Sequence, residues 1–414
     1  MFNDRIGDYF EGVAAKYLSA VDADKRRSNQ HEIGGLPAAG FKQWLGEPRD
    51  KPHYFRARQV YIRDYDEAPL ICDSEVSWYD SRRNSESRLP EYRLYYPDSP
   101  VTEQIAPGDF LLVAKLRDDS LLMVFTPAGG SVESQLRAIF GLDNIQERFS
   151  PGVIGAIEFL LPLRLMLEEL GVDIASFTRD DDAWLGSLLE KFGAEGFPST
   201  TLFSEFARDS IRTDVNPIGD PDEALMAWMN QEEKLFRIYE RHLLKIKLNE
   251  GFGQDDNVTE FLKFSLSVQN RRKSRAGHAF ENHLDALFRA HGLKFEQGKG
   301  RENFTENRSK PDFIFPSFSA YRNSNFPAEK LTMLGAKTTC KDRWRQVLSE
   351  AIRVKTKYLV TLEPAISEHQ TNEMNSHNLF LVIPTPLHVT YTINQRKHLI
   401  GVQQFILRAR LLQS

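Results

Sequence analysis

Two domains are expected: a β-rich one over residues 1–175 and an α/β one over 199–414, with 176–198 as the linker between them. Three observations predict this. The chain has 414 residues, more than one ordinary core organises. Short alternating apolar runs fill the stretch from about His31 to Phe125, whereas helical periodicity dominates after Thr200. Between the two, residues 177–198 collect acids, glycines and a proline, the composition of a connection.

Taken in order, residues 2–20 place Ile6, Phe10, Val13, Ala14 and Tyr17 at helical spacing and are read as a helix. Strands follow at 54–62 and 91–96. A hairpin is expected from 110–116 and 120–125 around Asp118 and Asp119, with a turn at Pro107-Gly108-Asp109 ahead of it. In the second half, helices are expected at 202–211 and at 221–248, the latter opening with the acids that helix N-termini favour. Two more are read at 259–268 and 277–291, and another over 342–355. Strands are expected within 312–337, at 358–362 and at 379–384, and a helical or mixed segment closes the chain at 394–411. A short sheet between helices results.

Bulk properties exclude several classes. Two cysteines, Cys72 and Cys340, support neither a disulfide framework nor a cysteine-based zinc site. The ten histidines show no His-x-x-x-His or Glu-x-x-His spacing. Met1-Phe2-Asn3-Asp4-Arg5 lacks a signal pattern, and the apolar stretch 153–167 is interrupted by Glu158, Pro162 and Arg164, so a cytoplasmic, non-membrane protein is expected. Gly35 to Lys42 imitates a phosphate loop, but Phe41 stands where its lysine belongs. The net charge of −5 does not itself point to nucleic acid, yet basic residues are locally clustered.

The chemistry concentrates between Lys310 and Ala351. Asp312 follows a proline and precedes Phe313-Ile314-Phe315, and Lys337 ends the apolar run Met333-Leu334-Gly335-Ala336. Each has a plain alternative, as a surface acid after proline or a strand-end lysine. Together they resemble the nuclease signature Pro-Asp…(Asp/Glu)-x-Lys, except that Gly335 stands where the second acid belongs. Glu350, thirteen residues after Lys337, can supply that carboxylate from the following helix. Two carboxylates suit a hard divalent cation such as Mg2+, and a lysine beside them steadies the attacking oxygen or the phosphate. Glu281, on a helix, is a candidate outer carboxylate. Asp342 and Arg343, beside Lys341, could read neighbouring C and G edges, or could simply cap a helix. Arg271, Arg272, Lys273 and Arg275 form a basic run just before a helix that could contact phosphates. Arg82, Arg83, Arg88 and Arg93 lie among Tyr79, Tyr92, Tyr95 and Tyr96, a mixture suited to a second DNA surface.

Three segments carry a more specific resemblance. Asn270 to Gly277, Lys310 to Ser317 and Lys337-Thr338-Thr339-Cys340-Lys341-Asp342-Arg343-Trp344-Arg345-Gln346 closely resemble, in order, motifs of the EcoRII family of type II restriction endonucleases. The resemblance implies a PD-(D/E)XK core with a displaced helical glutamate. It also implies Mg2+-dependent double-strand cleavage of a short site related to CCWGG, where W is A or T. By that match Asp312, Lys337 and Glu350 form the active site, with Asp312 and Glu350 holding the metal and Tyr321 in support. Lys341, Asp342 and Arg343 would read the outer C:G pairs, and the central pair would leave the stack. More faintly, His31 to Gly34, Trp78 to Arg82, Arg88 and Arg93 look like the family's N-terminal effector domain, a B3-like pseudobarrel. In that family it binds a second copy of the site and masks the catalytic cleft. A homodimer on duplex DNA is expected, since cutting both strands of a near-palindrome needs two sites. The alternative is a non-cleaving DNA-binding regulator on a decayed nuclease fold, with Gly335 a lost acid.

Overall fold

The computed structural model describes residues 7, 9–23, 32–63, 69–85, 87–142, 145–146, 148–152, 161, 165, 167, 181–252, 257–340 and 343–414. The chain divides into two compact units. One comprises Met1–Ser176 with Pro364–Ser367, the other Phe177–Glu363 with Glu368–Ser414.

The first unit is built on eight strands: β1 (Phe10–Tyr17), β2 (Glu32–Gly34), β3 (His53–Tyr61), β4 (Leu70–Asp80), β5 (Tyr92–Tyr95), β6 (Phe110–Leu116), β7 (Leu121–Thr126) and β8 (Ser150–Pro151). They form one sheet in the order β2-β5-β4-β3-β7-β6-β1-β8. Its pairs are antiparallel except β3 with β7. Strand alternation feeds a core on each face. Phe110, Leu112 and Ala114 pack with Val132, Leu136 and Ile139 of helix α1 (Ser131–Ile139), while Leu111 and Val113 pack with Val76, Trp78 and Leu94. A strand buried on both faces reads as a continuous apolar run.

The same effect overturns the helix expected at 2–20. Within it, residues 10–17 are strand β1, paired along β6 from Phe10↔Leu116 to Tyr17↔Phe110. Val13, Ala14 and Ala15 are all buried, so neighbours on opposite faces imitated one helical stripe. Gly12 marks a register shift in β1, and a Cβ there would stand 2.0 Å from the Trp44 ring. The expected hairpin is present, with Asp119 at φ 67 in its turn and Asp118 accepting from the Ser120 amide at 3.0 Å. Strand β4 went unread, although Val76, Trp78 and Asp80 alternate inward along it.

In the second unit, helices α2 (Asp181–Phe192), α3 (Thr200–Ser210), α4 (Pro221–Glu250) and α5 (Asn257–Ala290) precede a five-stranded sheet. Most of the expected linker is therefore helix: α2 buries Leu188 with Phe203, Leu235 and Tyr239. The two helices expected at 259–268 and 277–291 are one, because the basic run between them is itself helical. The sheet, in the order β13-β12-β11-β10-β9, contains β9 (Glu296–Gln297), β10 (Phe313–Phe315), β11 (Thr332–Lys337), β12 (Lys357–Thr361) and β13 (Leu379–Val382). Strands β9 to β11 pair antiparallel, and β11 to β13 parallel. Phe313 and Phe315 of β10 meet Phe288 of α5 at ring-centroid distances of 5.3 and 5.4 Å, and Phe405 of a C-terminal helix touches Phe315 at 5.6 Å. The buried Asp222 ties α4 to this helix, accepting the amides of Thr385, Val402 and Gln403 at 2.8 Å and the Thr385 hydroxyl at 3.1 Å. Among the described residues, no helix is long and apolar enough to cross a membrane.

Candidate active site

Strand pairing brings the signature residues together. The β10–β11 register, Phe313↔Leu334, sets Asp312 opposite Gly335. One carboxylate oxygen of Asp312 accepts from Lys337 Nζ at 2.8 Å and from the Ala336 amide at 2.7 Å. Lys337, the last residue of β11, is partly exposed and lies on the same strand face as Gly335.

The third member arrives from a shorter helix than expected. Helix α6 spans Trp344–Ser349 rather than 342–355, and Glu350 is its extended C-cap residue, at φ −86 and ψ 148. Gly335 permits this approach: a Cβ there would stand 3.0 Å from Val347 Cγ2 of α6 and 3.4 Å from Leu359 Cδ1. An acid at the signature position would therefore press on the helix that delivers the displaced one, and Val347 would have to give by a few tenths of an ångström. Glu350 is 5% exposed. Burial, then the negative charge of Asp312, push its pKa up to about 7, against the opposing pull of Lys337 and Lys357. Lys357 is also buried and donates to the Leu348 carbonyl. Burial pushes its pKa down, opposed by Glu350 and Glu306.

These residues fit a hard cation. Two carboxylates repel each other across the site, and the Glu350 carboxylate accepts no hydrogen bond among the described residues, which leaves its oxygens open to a metal. Among those residues no group of three or more His, Cys, Asp or Glu could hold an ion. An ion here would take the two carboxylates and complete its shell with water and phosphate, as Mg2+ commonly does.

The other candidates are placed as follows. Tyr321 is 3% exposed and donates to both oxygens of Glu306 at 2.6 Å. Glu281 pairs with Lys299 at 3.1 Å. The basic run lies within α5 rather than before a helix, and two of its arginines point inward. Arg272 pairs with the buried Glu240 at 2.8 Å, and the buried Arg275 pairs with Glu233 while stacking 4.1 Å from the Phe236 ring centroid. Arg271 lies over Phe197 at 4.9 Å. Arg343 is exposed at the start of α6, donating to the Thr339 hydroxyl at 3.2 Å. Lys341, Asp342 and His31 lie outside the described residues. In the first unit, Arg82 and Arg93 share Glu91 at 2.7 and 2.9 Å, Arg93 also reaches Glu32 at 2.7 Å, and Arg88 is exposed in the β4–β5 connection. Sequence reasoning missed Lys357 and Glu306. Lys357 had a signal, a base leading an apolar strand; Glu306 had none.

The site thus sets a carboxylate before one strand, a lysine at the end of the next, and a second carboxylate just past the end of the following helix. Residues 236–406 match the family described as EcoRII C terminal. The chain is 44% identical over 211 residues to the type II restriction enzyme EcoRII of Escherichia coli, covering 51% of this chain and 50% of that protein. It is 30% identical over 130 residues to the type II restriction enzyme SsoII of Shigella sonnei, covering 30% and 42%. The chain thus spans half or less of the length of these curated relatives. A solved structure of metal-depleted Ecl18kI in complex with uncleaved DNA aligns with 56% of this chain and 84% of that one, at 21% identity and a TM-score of 0.42. The resemblance to the EcoRII family is borne out in the C-terminal part of the chain.

Proposed function

We propose that this protein is a type II site-specific deoxyribonuclease that makes Mg2+-dependent double-strand breaks at a short duplex site related to CCWGG. One observation carries the reading: Asp312, Lys337 and Glu350 converge at the end of β11 although the signature acid is missing from the strand. The names of the relatives, both type II restriction enzymes, point to the same class.

Asp312 and Glu350 would hold the cation, which when bound supplies charge stabilisation and a more acidic water. Asp312 fixes Lys337 through the 2.8 Å ion pair, keeping its ammonium aimed at the site. Lys337 then orients the attacking oxygen or offsets phosphate charge. The buried Lys357 offsets part of the Glu350 carboxylate charge from within the fold. Arg343, with Lys341 and Asp342, would read the outer C:G pairs. The second unit would be a PD-(D/E)XK core, and the first a B3-like effector domain binding a second copy of the site through the Arg82–Arg88–Arg93 end of its sheet. Two copies of the chain would cut the two strands.

The test is incubation of the purified protein with phage DNA and Mg2+, beside an EDTA control, followed by sequencing of fragment ends. Discrete Mg2+-dependent fragments sharing a CCWGG-like end are expected. DNA that stays intact with Mg2+ and an added oligonucleotide carrying the site, yet shifts in gels, would replace this reading with the non-cleaving regulator.

A further inference from the structure

The main chain leaving Glu350 is held by side chains from elsewhere. Ala351 adopts φ 48, a left-handed conformation unfavourable for a residue with a Cβ. Three consecutive amides follow from this turn, and each finds a side-chain acceptor. The Ala351 amide donates to Thr305 Oγ1 at 3.4 Å, Ile352 to Glu306 Oε2 at 3.3 Å and Arg353 to the Tyr321 hydroxyl at 3.3 Å. Tyr321 in turn donates to both Glu306 oxygens at 2.6 Å. The Arg353 guanidinium closes the far side, donating to the carbonyls of Tyr321, Asn323 (3.1 Å) and Phe326 (2.9 Å).

Glu306 is the common partner in this arrangement. Its carboxylate receives the Tyr321 hydroxyl and the Ile352 amide, and its charge also acts on Lys357, which feels the charge of Glu350 as well. We propose that Glu306 is a positioning residue for the metal site: through Tyr321 and the 351–353 turn it fixes the direction in which Glu350 presents its carboxylate. The inference rests on the metal-dependent reading above. Glu350 accepts no hydrogen bond among the described residues, so beside the charges of Asp312, Lys337 and Lys357 its backbone direction sets how it presents the carboxylate, and that backbone is set by the turn. Outer residues that orient a ligand change metal affinity by roughly 10–100-fold when lost.

The experiment is a calorimetric Mn2+ titration of the full-length protein as wild type, Glu306→Ala, Glu306→Gln, Tyr321→Phe and Glu350→Gln. Metal-free duplex binding and thermal melting are measured alongside. Glu350→Gln should lose Mn2+ binding, and Glu306→Ala should weaken it about 10-fold or more while metal-free duplex binding stays within about 2-fold of wild type. Glu306→Gln, which keeps an acceptor for Tyr321 and Ile352, should recover part of the affinity. Tyr321→Phe should move in the same direction as Glu306→Ala and serves in its place if that variant does not fold. A weak Glu350→Gln beside an unchanged Glu306→Ala overturns this inference alone, as does a loss of Mn2+ affinity matched by an equal loss of duplex binding. Equal Mn2+ affinity in wild type and Glu350→Gln removes the metal reading and this inference with it.

Discussion

Glu350 combines a raised pKa, burial and exposure to the charge of Asp312, and each yields a measurable consequence. Glu350→Gln should lower cleavage by at least ~10^2–10^3-fold, with metal-free duplex binding nearly unchanged in gel shifts. Its pKa of about 7 lies above the ordinary 4.5, so the folded state holds this proton more tightly than the unfolded one. The resulting stabilisation is complete below about pH 4.5 and is lost as pH rises through about 7. That rise corresponds to roughly 3 kcal/mol at 1.36 kcal/mol per tenfold change in affinity for the proton. Metal-free Glu350→Gln protein should therefore melt higher than wild type at pH 8, and the advantage should vanish at pH 5. Metal binding in the wild type should strengthen from pH 6 to 8 as the proton leaves. Asp312 and Lys337 were legible because each sits at the end of an apolar run. Glu306 was not, because its partners are the Tyr321 hydroxyl and the Ile352 amide 46 residues away, and a backbone donor leaves no trace in residue identity.

Among elements, the contact between β11 and α6 decides where an acid can stand. Gly335→Ala should move Val347 by a few tenths of an ångström, and the melting temperature reads whether α6 yields or resists. Asp222→Ala should cost about 2 kcal/mol, since it strips four hydrogen bonds from the start of the C-terminal helix and its neighbour. The strands at 54–62 and 110–116 and the long helix from Pro221 were legible from period alone. Strand β1 was misread because burial on both faces erased its alternation. The end of α6 was misread because Glu350 leaves the helix without a glycine or proline to announce it. Helix α5 was divided in two because Arg271 to Arg275 read as a phosphate-contacting run ahead of a helix, whereas Glu240 and Glu233 of α4 take up Arg272 and Arg275.

For the whole molecule, two units with their own cores predict separable behaviour. A fragment spanning 1–176 should bind duplex carrying the site, leave it uncut with or without Mg2+, and lose affinity steeply with added salt. A fragment that folds by circular dichroism yet ignores duplex DNA would remove the effector role. The division into a β-rich and an α/β half was legible because the period of apolar residues changes near Thr200. The end of the first domain at 175 lies beside the observed division at Ser176, whereas the start of the second was placed at 199, because α2 opens with acids and contains a glycine and its composition resembled a connection.

The packing at Gly335 also constrains how such a site can change over generations. Returning the acid to the strand would need a side chain where Val347 already sits, and shrinking Val347 first would open a void with nothing to fill it. Either step disturbs the β11–α6 contact, so the two addresses for the carboxylate are coupled through Val347. A search that demands an acid two positions before the lysine will pass over chains that use the helix-end address.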